Sequence, residues 1–208
     1  MIRTGIADIR PLFKEQIYRE YYESVPKFRQ EKAERIQDQK KRAQSVGVWV
    51  LYEKLCELWG VSEKAIYNLS HSGNYVLCSI GEETSNHIKV GCDLEEIKKI
   101  PTKLIRRQFS DGEQAYIFSG KNEWEQKKAF YRLWVLRESF MKATRRGLSL
   151  GFDSFEIRIK EENPELIRMP ENIDGLYYFK EYSLDIPYCI AVCSTDEDFS
   201  EEIQKVEL

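Results

Sequence analysis

The chain has 208 residues, 42% hydrophobic and 32% charged, with only 11 glycines and 6 prolines. That is enough apolar material for a core, and it excludes a disordered, collagen-like or low-complexity chain. A formal net charge of −3 argues against a globally basic nucleic-acid binder, but the charge is divided: residues 161–208 carry −10, so residues 1–160 carry +7 and are where an anionic ligand is expected.

The opening ten residues contain no apolar run of signal-peptide type. Residues 28–59 read as one long helix, with Ile36, Ala43, Val46, Val50, Leu51, Leu55 and Leu58 at helical spacing and Gly60 as its stop. Strand-like runs follow at 65–69, 75–80 and 87–93, the first two joined by a turn at Ser72-Gly73-Asn74. Ser110 and Glu113 have the spacing of a capping box. A second long helix is expected over 122–146, with Phe130, Leu133, Trp134, Phe140 and Met141 on its apolar stripe and Gly147 as its stop. Strands are then expected over 152–159, 176–182 and 188–193. A long helix followed by three strands thus occurs twice. The pattern suggests an α+β protein of two similar lobes, 1–100 and 101–208, each a long helix packed on a small, mostly antiparallel sheet, with a site between them and a seam near Pro101. A single continuous α+β domain is the alternative. No stretch of about 18 apolar residues occurs, so no membrane span is expected. Five scattered cysteines without a C-x-x-C pair suggest reduced thiols, a cytoplasmic setting, no disulfides and no structural zinc.

Several constellations could carry chemistry. Asp93 and Glu95, two apart on a strand, point to one face. Two carboxylates that close repel unless a cation lies between them, and their oxygens suit Mg2+; a strand end running into an acidic segment, with Glu96 next, reads as well. Gly91 beside them leaves room for another backbone or a ligand. Glu138 and Lys142 are four apart on the second helix, hence on one face. That could be an ordinary surface ion pair, but the neighbouring Trp134, Leu136, Phe140 and Met141 suggest a buried setting, where charge needs a reason such as a metal and a phosphate. In Asn68-Leu69-Ser70-His71-Ser72, hydroxyls and an imidazole can bond phosphate oxygens, or simply form a polar loop. Residues 27–42 hold seven basic and three acidic side chains. They form a solvated helix face or a cradle for a polyanion, with Lys27, Lys41 and Arg42 as candidates. A further basic cluster, Lys98, Lys99, Lys103, Arg106 and Arg107, could meet an acidic partner. Walker and G-x-G-x-x-G motifs are missing.

Taken in order, Asn68-Leu69-Ser70-His71-Ser72, Gly91-Cys92-Asp93-Leu94-Glu95 and Trp134 through Lys142 resemble the Sfp-type 4'-phosphopantetheinyl transferases, as do Gly147-Leu148-Ser149-Leu150, Asp153-Ser154-Phe155 and the ending Tyr188 to Cys193. The likeness covers roughly residues 25–195. It implies a two-lobed α+β monomer with pseudo-twofold symmetry that binds coenzyme A between its lobes. It further implies transfer of the phosphopantetheine arm to a serine of an acidic apo acyl- or peptidyl-carrier protein, releasing adenosine 3',5'-bisphosphate. In that reading Asp93, Glu95 and Glu138 hold Mg2+, or Mn2+, against the pyrophosphate. Lys142 neutralises a phosphate oxygen, Glu138 takes the serine proton, Ser70 and His71 bind phosphates, and Lys27 and Arg42 reach the 3'-phosphate. The sequence departs from the family in two places. The Gly-Lys-Pro segment that many relatives place before the first block is missing, with Lys64 as a conceivable substitute, and Arg137 stands where relatives usually have Lys. A non-catalytic binder of coenzyme A or carrier, or a metal-dependent nuclease, are the competing readings.

Overall fold

The first strand, β1 (Ile2–Asp8), buries Ile2, Thr4, Gly5, Ile6 and Ala7. The structure is a computed structural model that describes residues 1–62, 65–82, 88–100, 102–151, 153–160 and 163–208, without the side chains of 148 and 149. Pro101, at the expected seam, and Lys64 lie outside the described residues. Helix α1 (Glu15–Ser24) follows, with no buried residue.

The stretch expected as one helix divides in two. Helix α2 (Lys27–Glu34) ends at Arg35, and α3 (Gln39–Trp59) begins after Asp38, whose carboxylate accepts the Lys41 amide at 2.8 Å. An Asp side chain that bonds a nearby amide offers the backbone an alternative to continuing the helix, and so starts a new one instead. Gly60 does close α3, in the left-handed conformation at φ 62°.

The first hairpin is β2 (Ile66–Ser72) and β3 (Tyr75–Gly81), paired antiparallel and turning at Gly73-Asn74. Strand β4 (Val90–Glu96) contains both Asp93 and Glu95 within it; residues 83–87, including His87, lie outside the described residues. Helices α4 (Thr102–Gln108) and α5 (Asp111–Phe118) come next, and α5 starts on the expected capping box, with Ser110 and Glu113 each accepting the other's amide. Helix α6 (Glu123–Ala143) is shorter at its C-terminal end than the 122–146 expectation. Asn122 is its N-cap, Arg145 takes a left-handed φ of 56°, and Gly147 opens a short 3-10 turn. The chain ends with β5 (Glu156–Lys160), β6 (Asn163–Arg168), β7 (Tyr178–Glu181), β8 (Tyr188–Ser194) and β9 (Gln204–Val206); Phe152 lies outside the described residues.

Three sheets result, with strand orders β2-β3-β1-β9, β4-β8-β7 and β5-β6. All pairings are antiparallel except β1 with β9. This is a mixed α+β fold with six α-helices and small, mostly antiparallel sheets among the described residues. Strand β4 pairs with β8, and β9 returns to β1, so each half of the chain supplies a strand to a sheet built largely by the other.

Three cores hold the layers. Helix α3 packs on one face of the first sheet through Val46, Val50, Leu51, Leu55, Ala7, Val76 and Cys78. Helix α6 packs on the second sheet and on β5 through Leu133, Leu136, Phe140, Phe155, Ala191 and Cys193. Ile6 and Leu77 meet Val90, Cys92, Leu94, Ile190 and Val192 in the third core, which joins the two sheets. Period-two alternation therefore gives β4 one apolar face, at 90, 92 and 94, and leaves 91, 93 and 95 for the other.

Candidate active site

Asn68, Ser70 and Ser72 are spaced by two, so on an extended strand they share a face. Strands β2 and β4 are each at the edge of a sheet, and this row of side chains joins them. Asn68 Oδ1 accepts the Cys92 amide at 2.9 Å, and the Cys92 thiol donates to the Asn68 carbonyl at 3.2 Å. Ser70 Oγ donates to Asp93 Oδ1 at 2.7 Å. Ser72 Oγ donates to Glu95 Oε2 at 2.6 Å and accepts the Glu96 amide at 3.3 Å. The pairs rise together along both strands, which therefore run in the same direction. Unsatisfied edge-strand groups become the walls of a polar seam.

Helix α6 closes over that seam because Gly91 has no side chain. A Cβ there would sit on the Ser139 carbonyl oxygen and the Ala143 amide, and 3.0 Å from the Ala143 Cα. The close approach brings Lys142 to the strand. Its ammonium donates to Asp93 Oδ1 at 2.7 Å, Ser70 Oγ at 2.9 Å and the Cys92 carbonyl at 3.1 Å. Lys142 is thus a cation set into a buried cluster on Asp93 and Ser70, rather than one half of a surface pair.

The electrostatics follow from burial and crowding. Burial pushes the Glu95 carboxyl up to about 7, and repulsion from Asp93 and Glu138 adds to it against the pull of Ser72 and Lys142. Burial likewise raises Glu138, with Asp93 next in effect. For Lys142, burial works against the ammonium, but Asp93, Cys92 and Glu138 together outweigh it and hold its pKa above the ordinary value. The second oxygen of Asp93, Oδ2, is buried and has no hydrogen-bond partner. Three hard carboxylates, one with an orphaned oxygen, suit a divalent cation of the Mg2+ or Mn2+ kind. Among the described residues, no three such side chains already close into a metal cage.

The phosphate-binding candidates fall into separate places. Ser70 is 6% exposed and engaged by Asp93 and Lys142. His71 points to the other face of β2, with its ring exposed. Crowding costs its charged form hydration, and the charges of Lys142 and Lys32 lower its pKa further. Lys27 is exposed at the first turn of α2, and Arg42 is half-buried near the start of α3, its Nε buried without a partner. Among the described residues, no hydrogen bond or ion pair ties either to the Ser70–Lys142 cluster. Arg29 is a residue that the sequence reading missed. It is 8% exposed, its Cζ lies 4.7 Å over the Trp49 ring, and its Nε is buried without a partner. Burial lowers its pKa, opposed by the charge of Tyr67. The clue was present: Val25, Arg29 and Ala33 recur every four residues and are all buried. Arg137 also lies away from the carboxylates, in a buried pair with Glu113. Two surface clefts lie elsewhere, both lined by Leu176, Tyr178 and Glu197, and they hold no such cluster of buried charge.

A family model described as the 4'-phosphopantetheinyl transferase superfamily matches residues 89–193, half of the chain. The chain belongs to this superfamily. The matched region holds β4, α6 and β8, and with them Asp93, Glu95, Glu138 and Lys142. Among curated proteins, the chain is 36% identical over 142 residues to the 4'-phosphopantetheinyl transferase Sfp of Bacillus subtilis, covering 68% of this chain and 60% of that protein. It is 34% identical over 138 residues to the 4'-phosphopantetheinyl transferase psf-1 of Bacillus pumilus, covering 66% and 56%. It is 33% identical over 125 residues to the human L-aminoadipate-semialdehyde dehydrogenase-phosphopantetheinyl transferase, covering 57% and 36%. The chain therefore spans 60% or less of the length of each of these transferases. A weaker likeness in fold alone, at TM-score 0.44 and 20% identity over 54% of this chain and 66% of the other, is to the holo-[acyl-carrier-protein] synthase of Thermotoga maritima. No helix among the described residues is long and apolar enough to cross a membrane.

Proposed function

We propose that this superfamily member transfers the 4'-phosphopantetheine arm of coenzyme A to a serine of an apo acyl- or peptidyl-carrier protein. The observation that carries the reading is the buried cluster in which Lys142 of α6 sits on Asp93 of β4, with Glu95 and Glu138 beside it. Asp93, Glu95 and Glu138 would hold Mg2+ or Mn2+. A set of carboxylates that does not close a cage leaves room for water and substrate oxygens, as Mg2+ sites commonly do. A bound cation of that kind would neutralise charge on the pyrophosphate.

The chain's own residues account for the rest. Glu138, with a raised pKa, is suited to take the proton from the carrier serine hydroxyl, directly or through a water. The serine oxygen forms a bond to the phosphorus that bears the pantetheine arm. The bond from that phosphorus to the bridging oxygen of the pyrophosphate breaks, and adenosine 3',5'-bisphosphate leaves with the electron pair. Lys142 offsets the charge that grows on the phosphate oxygens, a task for which a fixed cation in a partly buried site is effective. Ser70 and Ser72 keep the carboxylates pointed. His71 of β2 and Lys32 of α2, whose charges feel each other, with Arg29 and Lys27 of α2 and Arg42 of α3, would supply the basic side of the site to the coenzyme A phosphates.

We take the halves 1–100 and 101–208 as two pseudo-symmetric lobes of a monomer with coenzyme A between them. The packing of α3 on one sheet and α6 on the next supports this. The thiols of Cys56, Cys78, Cys92, Cys189 and Cys193, none of them in a disulfide, suit a reducing, cytoplasmic setting. Intact mass of several apo-carriers after incubation with coenzyme A, Mg2+ and the protein tests the reading, with coenzyme A binding measured alongside. One carrier should gain the mass of one phosphopantetheine. Binding of coenzyme A with no gain in any carrier would leave a non-catalytic binder instead.

A further inference from the structure

Arg137 and Glu113 are 2% and 0% exposed, and Arg137 Nη1 donates to both Glu113 oxygens, at 2.5 and 2.7 Å. The guanidinium lies 4.3 Å over the Phe155 ring and 5.4 Å from the Phe109 ring. Glu113 has further work. Its Oε2 accepts the Ser110 amide at 2.9 Å, which caps α5, and its Oε1 accepts the Ile157 amide at 3.1 Å at the start of β5. One buried carboxylate thus joins α5, α6 and β5.

A buried ion pair is a poor source of stability, because desolvation of both charges offsets most of their attraction and a well-packed apolar pair often does as well. What it supplies is direction. Residues in an α-helix step by about 100°, so Arg137 lies roughly opposite Ser139, and Glu138 lies between them. Helix α6 is then gripped on two sides: Gly91 of β4 receives the Ser139 and Ala143 backbone, and Glu113 holds Arg137. A helix held in that way cannot turn about its axis, and its rotation is what aims Glu138 and Lys142 at Asp93. A planar guanidinium, bonded to both Glu113 oxygens through Nη1 and lying over the Phe155 ring, fixes rotation better than a freely turning ammonium.

We infer that Arg137, paired with Glu113, is a positioning residue for the transfer reaction: it sets the rotation of α6 that places Glu138 and Lys142 against the β4 carboxylates. The inference rests on the proposed transferase reading.

The double variant Glu113→Gln with Arg137→Met removes both charges, leaves no ion buried alone and keeps an acceptor for one of the two amides, the capping one or that of β5. It should fold, with a lowered unfolding midpoint because one buried amide loses its acceptor, and with an unchanged KM for coenzyme A. Its kcat should fall by tenfold to about a hundredfold, the scale expected of a small misplacement of reacting groups. Arg137→Lys, which keeps the charge without the planar guanidinium, should retain kcat in part. A double variant with wild-type kcat overturns the inference, as does a rise in the KM for coenzyme A that accounts for all of the loss. If the double variant does not fold, Arg137→Lys decides, since wild-type kcat in that variant overturns the inference too. Wild-type protein that modifies no carrier at all overturns the transferase reading and this inference together; a wild-type enzyme with an equally active double variant overturns only the inference.

Discussion

Glu95 sits where burial, Asp93 and Glu138 all oppose its charge, and its pKa moves from 4.5 to about 7. The folded, cation-free protein therefore holds this proton more tightly than the unfolded chain does. By linkage, stability falls as pH rises from 4.5 to about 7 and levels off above, where the charge is fully present and unrelieved. A cation that relieves it should stabilise the protein more once the carboxylate is ionised. Thermal unfolding should show a larger upward shift with Mg2+ at about pH 8 than at about pH 5.5; an equal shift at both would contradict this account of the site. At this scale much was readable from the chain. Asp93, Glu95, Glu138 and Lys142 are charged groups in apolar company, and such groups need partners. The grip of Ser72 on Glu95 was not readable, and the burial of Arg29 was signalled only by its spacing from Val25 and Ala33. Each depends on which way a side chain faces, and that was settled by β2 continuing through Ser72 and by α2 ending at Glu34.

Helix α6 and strand β4 touch through backbone at Gly91, where any side chain would meet Ser139 and Ala143. Neither partner can yield as a flexible side chain would. Gly91→Ala should cost about 3 kcal/mol, the upper part of the range for overpacking a core, and should lower activity beyond the loss of folded protein by lifting Lys142 from Asp93. Chemical denaturation with activity measured on the folded fraction checks both; a variant within about 0.5 kcal/mol of wild type, the scatter of neutral surface changes, would contradict the close seating of the helix. Elements with strong periodicity, such as α3 and α6, were visible in the sequence, as were the capping box and the β2–β3 turn. The break at Asp38 was not, because helical spacing continues across it and only the cap reveals the new start. Helix α1 carries Ile17, Tyr18, Tyr21 and Tyr22 at helical spacing, a trace the sequence does hold, whereas β9 is three residues long with two of them exposed and leaves none.

The whole molecule divides its charge, with −10 in residues 161–208 and +7 before them. On α4, Lys103, Arg106 and Arg107 are exposed, a basic face suited to an acidic carrier. Reversing Arg106 and Arg107 to Glu should raise the KM for the carrier about tenfold at low salt and leave that for coenzyme A unchanged. The difference should shrink at high ionic strength, where exposed charges are screened; an unchanged carrier KM would place docking elsewhere. The mixed α+β class could be read from the order of helices and strands. The strand orders could not, since β4 finds β8 and β1 finds β9 across most of the chain, and local periodicity carries no record of such pairings. The central claim is that the cluster of Asp93, Glu95, Glu138 and Lys142 moves phosphopantetheine onto a serine. The most direct test is the intact mass of one responsive apo-carrier, treated in parallel with wild type and with Glu138→Gln in coenzyme A and Mg2+. The account predicts a gain of one phosphopantetheine with wild type and no detectable gain with the folded variant over the same time. Near-normal modification by Glu138→Gln would contradict it.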